Sequence, residues 1–188
     1  MLEEVLEGVR TIQRAIVPGR EDQSLVPSNG LKWEDYFIRG VNAANRRGGT
    51  ARNLAALRAY NEAIALAPVD LLDNSRSRLH AYRGAILKRL GRLEEAEHDL
   101  ILAQKWAVAA SEIEDADYNM ACVMAMSGKP EQAIALVKKL VSQNVRWANI
   151  LKTNSYFRTL ATHAEFAAWV GLAGSVPRLK RFVLVFSS

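Results

Sequence analysis

The stretch Ala81-Tyr82-Arg83-Gly84, followed by Leu90-Gly91-Arg92-Leu93-Glu94-Glu95-Ala96, returns 37 residues later as Tyr118-Asn119-Met120-Ala121 and Ser127-Gly128-Lys129-Pro130-Glu131-Gln132-Ala133. Gly91 falls on Gly128, Glu95 on Gln132 and Ala96 on Ala133, while Leu100 and Ala103 fall on Val137 and Leu140. A fixed period of roughly 20 to 50 residues marks a chain of stacked units, each burying its apolar face against its neighbours. Proteins built this way usually work by binding other chains.

On either side of the echo the sequence reads as helix, short glycine turn, helix, three times. Trp33, Tyr36, Phe37, Gly40, Val41 and Ala44 predict a helix over 33–46, broken by the adjacent glycines 48 and 49. Leu54, Leu57, Tyr60, Ala63, Ile64 and Leu66 continue as a second helix that stops at Pro68. The next pair spans 76–90 and 93–109, with Gly91 placed to close its first helix in the left-handed conformation. The third spans 114–126 and 130–143, with Pro130 in a first helical turn, where it forfeits no hydrogen bond. Small residues recur at matching places: Gly40, Gly84 and Ala121 midway along the first helices, and Ala56, Ala96 and Ala133 early in the second. That placement predicts close helix crossings flanked by larger side chains.

These residues resemble the tetratricopeptide repeat, whose unit carries an aromatic or Leu, then Gly, then Tyr in one helix and Ala…Phe…Pro in the next. The likeness rests on Arg39-Gly40 with Ala56, Tyr60, Ala63 and Pro68; on Gly84, Leu87, Gly91, Ala96, Leu100 and Ala103; and on Ala121, Met124, Gly128, Ala133, Val137 and Leu140. It covers roughly 33–143. The resemblance implies an all-α, right-handed α-solenoid of about three tetratricopeptide (TPR) hairpins, over 32–68, 76–109 and 114–143. The first unit departs by about four extra residues in its turn, around 47–50. The links 69–76 and 111–116 are longer than usual, and the second and third units lack the closing proline.

Past 143 the pattern decays into what looks like a degenerate closing segment, 144–188. Trp147, Ile150 and Leu151 suggest a short helix, Ser155 is placed to cap the next one, and Phe157, Leu160 and Phe166 are anchors expected to seal the end of the core. The apolar run 181–186 fits a strand, a docking peptide or a capping segment equally well. At the other end, Leu2, Val5, Leu6, Val9, Ile12, Ile16 and Val17 form one helical stripe, followed by a Pro- and Gly-bearing linker, so that 1–31 stand apart as helix and linker. The stripe predicts packing on the solenoid as a cap, a homodimer through residues 2–17, or binding of a partner.

Charge is unevenly spread along the chain. Residues 1–30 hold three basic side chains against five acidic, 31–128 hold thirteen of each, and 129–188 hold nine basic against two acidic. A C-terminal third at +7 allows contact with RNA or another anionic surface, or simply a solvated basic helix face. No apolar run approaches the ~18 residues of a membrane span, and the acidic start Met1-Leu2-Glu3-Glu4 does not resemble a signal peptide. The single cysteine, Cys122, forms no internal disulfide, which fits a reducing, cytoplasmic setting.

No catalytic constellation is expected. His80, His98 and His163 lack metal-ligand spacing, and the phosphate-binding, dinucleotide and nucleophile-elbow motifs are missing. No metal or cofactor is therefore anticipated, and the acids Glu94, Glu95, Glu112, Glu114, Asp115 and Asp117 are explained as helix-start charges. In a tetratricopeptide stack the first helices line a concave groove. The resemblance thus nominates Phe37, Val41 and Asn45; Arg78, Ala81, Ala85, Lys88 and Arg89; and Tyr118, Cys122, Ala125 and Met126. This mixed aromatic, polarizable and cationic surface suits an extended or helical protein segment with some acidic character. The Lys and Asn clamp by which some relatives grip a chaperone's terminal carboxylate is not reproduced, because Phe37 and Val41 stand where those residues belong. The leading expectation is a non-enzymatic adaptor or scaffold. A small dimeric secretion-type chaperone, and RNA or anionic-surface binding by the basic third, are the alternatives.

Overall fold

The computed structural model describes residues 30–45 and 49–171. The helix expected at 2–17, its linker to residue 29, the turn residues 46–48 and the tail at 181–186 lie outside that range. Among the described residues the chain is all-helical: α1 Trp33–Asn45, α2 Thr50–Leu66, α3 Asp73–Arg89, α4 Leu93–Trp106, α5 Ala110–Met126, α6 Pro130–Gln143, α7 Arg146–Thr153, a 3-10 helix Ser155–Leu160, and α8 Ala164–Gly171. None of these helices is long and apolar enough to cross a membrane. The dominant packing is between sequence neighbours, α1 with α2, α3 with α4 and α5 with α6, and each pair leans on the next. This is the solenoid-like stack of three hairpins that the repeat predicts.

The echo becomes the same turn built twice. Gly91 and Gly128 have φ of 75° and 68°, a conformation that costs glycine least. At the first turn the Arg92 N–H donates to Leu87 O at 3.0 Å and Gly91 N–H to Lys88 O at 3.1 Å. At the second, Lys129 N–H donates to Met124 O at 2.9 Å and Gly128 N–H to Ala125 O at 3.4 Å. Both are the paired closing bonds that satisfy the last carbonyls of a helix and reverse the chain. Pro130 then opens α6 in its first turn, as expected.

Helix starts depart from expectation. α5 begins at Ala110, not at 114, because Glu112 reaches back and its carboxylate accepts from Val108 N–H at 2.8 Å and Ala109 N–H at 3.1 Å. The long link expected at 111–116 is therefore helix. α3 likewise begins at Asp73, which shortens the other link, and α4 stops at Trp106. In the closing segment Asn154, not Ser155, is the cap: its Oδ1 accepts from Tyr156 N–H at 2.9 Å.

The crossings are closed by small side chains. Ala56, Ala96, Ala121 and Ala133 have no exposed surface, and Gly40 and Gly84 are buried. A Cβ placed on Gly40 would lie 2.7 and 2.8 Å from Cδ1 and Cζ of the buried Tyr60 ring. One placed on Gly84 would lie 3.1 Å from Leu100 Cγ. Around these points Leu57, Ile86, Leu87, Leu100, Val123, Met124, Val137 and Leu140 form one continuous core. Trp147, Leu151, Phe157, Leu160, Phe166 and Val170 extend that core as α7, the 3-10 helix and α8 fold onto α5 and α6.

Polar clusters cross the seams between hairpins. Asp99 of α4 is fully buried, with Arg83 Nε at 2.6 Å, Arg83 Nη2 at 2.7 Å and His80 Nδ1 at 3.0 Å; Arg83 Nη1 also donates to Asn61 Oδ1 of α2 at 3.2 Å. Asp117 of α5, also fully buried, accepts from Gln104 Nε2 of α4 at 2.7 Å and pairs with Lys139 Nζ of α6 at 2.6 Å. Asp117 is thus an interior clamp rather than a helix-start charge, since α5 begins seven residues before it. Glu114 binds Trp147 Nε1 at 2.9 Å and Arg146 at 3.5 Å, tying α5 to α7. Of the six cations between 129 and 171, three meet acids from outside that segment, Lys129 with Glu97, Lys139 with Asp117 and Arg146 with Glu114, while Lys138 pairs with Glu165 within it.

Gly40→Ala is expected to destabilise the stack by about 1–3 kcal/mol, because the Tyr60 ring has no room to yield. Gly84→Ala, whose Cβ would meet Leu100 Cγ at 3.1 Å and Asp99 Cβ at 3.3 Å and so asks for shifts of only tenths of an ångström, is favoured by helix propensity and is expected to melt within a few degrees of the parent. Equal melting temperatures for the two variants would contradict this packing account.

Burial raises the Asp99 carboxyl, but hydrogen bonds from Arg83 and His80 and their positive charge outweigh it and hold the group below the usual carboxylate range. Its contribution to stability is therefore complete above the unfolded value of ~3.9 and lost as pH falls through the lower folded value. Asp99→Asn is expected to cost about 3 kcal/mol at neutral pH. It should also flatten the acid limb of a denaturation series, and an unchanged limb would refute the assignment.

Candidate functional site

α3 lies between α1 and α5, so the first helices of the three hairpins share one face. The side chains on it divide into two groups. Toward α1, Phe37 packs with Tyr60 and Tyr82 at ring-centroid distances of 5.9 and 5.3 Å, and the Arg78 guanidinium lies 5.4 Å over the Phe37 ring. Tyr82 is 40% exposed, and Arg78 is exposed. Val41, Ala81 and Ala85 are half-buried between them, whereas Asn45 is exposed at the end of α1. Arg89, exposed at the end of α3, donates to Ala44 O at 3.4 Å. This half is an apolar surface of alanine, valine and aromatic carbon flanked by Arg78 in the second turn of α3 and Arg89 at its end.

The second half is closed over. Lys88, Cys122 and Ala125, nominated as groove-facing, are buried, with Lys88 only 4% exposed and Cys122 not at all. The cause is the 3-10 helix, which packs on α5 and brings Tyr156 and Asn154 to this face. Lys88 Nζ lies 4.8 Å from the Tyr156 ring centroid and 5.4 Å from that of Tyr118, and donates to Asn119 Oδ1 at 2.7 Å. Tyr118 stacks on Trp147 at 5.2 Å and receives a hydrogen bond on its hydroxyl oxygen from Asn154 Nδ2. Tyr118 is therefore half-committed to the closing segment. Met126, at 37% exposed, is the member of the α5 set that remains open to solvent.

Electrostatics follow from this enclosure. Burial lowers the Lys88 ammonium from its ordinary range, reinforced by the like charge of Arg89 and opposed by the Cys122 sulfur. Burial pushes the Cys122 thiol up, with only partial relief from the positive charge of Lys88 and hydrogen bonds with Tyr118 and Lys88. Such a thiol is a packing group, not a nucleophile. Burial, aided by the neighbouring Cys122, pushes the Tyr118 hydroxyl up to about 12 against the lowering effect of the Asn154 hydrogen bond.

The structure thus brings Phe37, Val41, Arg78 and Ala85 together as an open surface and gathers Lys88, Tyr118 and Cys122 into a covered cluster. Sequence reasoning missed Tyr82, Asn119, Asn154 and Tyr156. Asn119 sits beside Tyr118 on the same helix and was within reach of helical spacing. Asn154 and Tyr156 come from a segment with no repeat register, and nothing in their spacing signals the contact.

Replacing Lys88 with Met keeps the volume and removes a buried charge, so Lys88→Met is expected to gain about 1 kcal/mol at neutral pH. Below the lowered folded pKa the lysine is charged in both states and its desolvation opposes folding. Between that value and ~10.4 the folded protein releases the proton first, and the parent regains stability as pH rises. The advantage of Lys88→Met should therefore shrink in alkaline denaturation series, and a constant gap would contradict the buried cation. Comparison with protein-family models, curated proteins and solved structures gave no match to this chain.

Proposed function

We propose that the chain is a non-enzymatic adaptor of the tetratricopeptide type, which holds a segment of a partner protein along the face made by α1, α3 and α5. The observation that carries this reading is the open half of that face. Phe37, Val41, Ala81 and Ala85 form a floor that the fold leaves partly uncovered, flanked by the exposed cations Arg78 and Arg89. An apolar floor with charged margins is the arrangement by which grooves take amphipathic or extended segments. The ion pairs formed by Lys129, Lys138, Lys139 and Arg146 favour this face over the basic third as the binding surface. The cytoplasmic setting is part of the same proposal and rests on the free thiol of Cys122.

A double variant, Arg78→Glu with Ala85→Trp, reverses one margin and fills the floor without touching the hairpin crossings. Affinity purification with quantitative mass spectrometry is expected to recover partners with the parent and to lose roughly tenfold of that signal with the variant, at unchanged helicity. Recovery of the same partners in equal yield by a folded variant would overturn the groove assignment.

A further inference from the structure

Among the described residues three side chains that ordinarily bear charge are buried: Asp99, Asp117 and Lys88. Both carboxylates have cationic partners, Arg83 with His80 for one and Lys139 for the other. No carboxylate among the described residues pairs with Lys88. Its ammonium meets an amide oxygen, two phenol rings, a thiol and the like charge of Arg89. An ammonium has three donors. Asn119 takes one and the Cys122 sulfur is a weak second acceptor, which leaves donor capacity unspent.

Burying a cation without an anion opposes folding, and a methionine would fill the same space without that cost. Departures of this kind from what stability favours concentrate where a chain does its work. The position supports that view. Lys88 sits on α3, the central helix of the groove face, next to the exposed Arg89, and what covers it is not core but the half-buried rings of Tyr118 and Tyr156.

We propose that Lys88 is the specificity-determining residue of the groove, pairing through its ammonium with the carboxylate of an aspartate or glutamate side chain in the bound protein segment. This deepens the groove reading and rests on it. The bound acid supplies the missing anion, in surroundings dry enough for the charge-assisted hydrogen bond to gain over its strength in water. Access for the acid requires the half-buried Tyr156 ring to swing off the lysine head. The cation is already uncompensated in the free protein, so a neutral segment gains nothing there and discrimination comes from the bond that only the acid can form.

The test is a random-peptide display selection on the full-length protein and on Lys88→Met, whose folding is checked by circular dichroism and melting. The parent is expected to enrich a motif with an acid at one fixed place among apolar residues. A synthetic peptide of that motif should lose at least about tenfold in affinity when its acid becomes the amide. Lys88→Met should bind the acid and amide peptides alike. Independently of any variant, zero-length carbodiimide coupling should join the peptide acid to the Lys88 amine on peptide mapping. A motif without a fixed acid, or coupling only at other lysines, overturns the role of Lys88 and leaves the adaptor standing. No enriched peptide at all overturns both.

Discussion

Two helices approach only as closely as the atoms between their backbones allow, and the whole stack depends on that limit being reached three times. Gly40 against the Tyr60 ring and Gly84 against Leu100 are contacts with little or no space for a methyl group. Alanines hold the matching places at 56, 96, 121 and 133, all without exposed surface. Once the two backbones of a hairpin touch, the larger side chains beside the crossing are forced into the gap toward the next hairpin. The continuous core from Leu57 to Leu140 is the result. Close-packed interiors transmit such constraints, because a displaced side chain has no void to enter.

Charge is handled in two different ways in this core. Asp99 and Asp117 are buried but answered by cations and an amide, Asp99 within its own hairpin and Asp117 across the seam to Gln104 as well, so they are held at small net cost. Lys88 is buried and answered mainly by neutral groups. The first pattern serves the fold. The second ties α3 to α5 through Asn119 but leaves the cation without an anion among the described residues, on the central helix of the face that remains partly open.

The parts of this architecture that were legible in the sequence depend on local backbone chemistry. Gly91 and Gly128 each require a left-handed turn, Pro130 tolerates only a first-turn position, and the small residues repeat with the period of the hairpins. Those signals are carried by the residues themselves. The start of α5 was less legible because its N-cap, Ala109, has no polar side chain, and the work is done from three residues on by Glu112. The candidate groove was legible only where its neighbours belong to the repeat, as with Phe37, Arg78 and Ala85. Lys88 and Cys122 looked open because their cover, Tyr156 and Asn154, comes from outside the periodic region. Charge asymmetry along the chain says nothing of pairing in space: Asp117, Glu97 and Glu114 come from outside the basic third to meet Lys139, Lys129 and Arg146.

Near-identical units carry a hazard of their own, since an apolar face made to accept one copy will also accept another. Hairpins joined in the wrong order, or borrowed from a second molecule, bury much the same hydrocarbon. The seam clusters remove that degeneracy. The two joints carry opposite chemistry: at one, Arg83 of the later hairpin donates to Asn61 of α2, and at the next, the later hairpin presents the buried carboxylate of Asp117 to the Gln104 amide of α4. A hairpin set against the wrong neighbour would strand one of these groups without its counterpart. Each joint therefore has an address written in charge, and the order of the stack is secured by what would be left unpaired in any other.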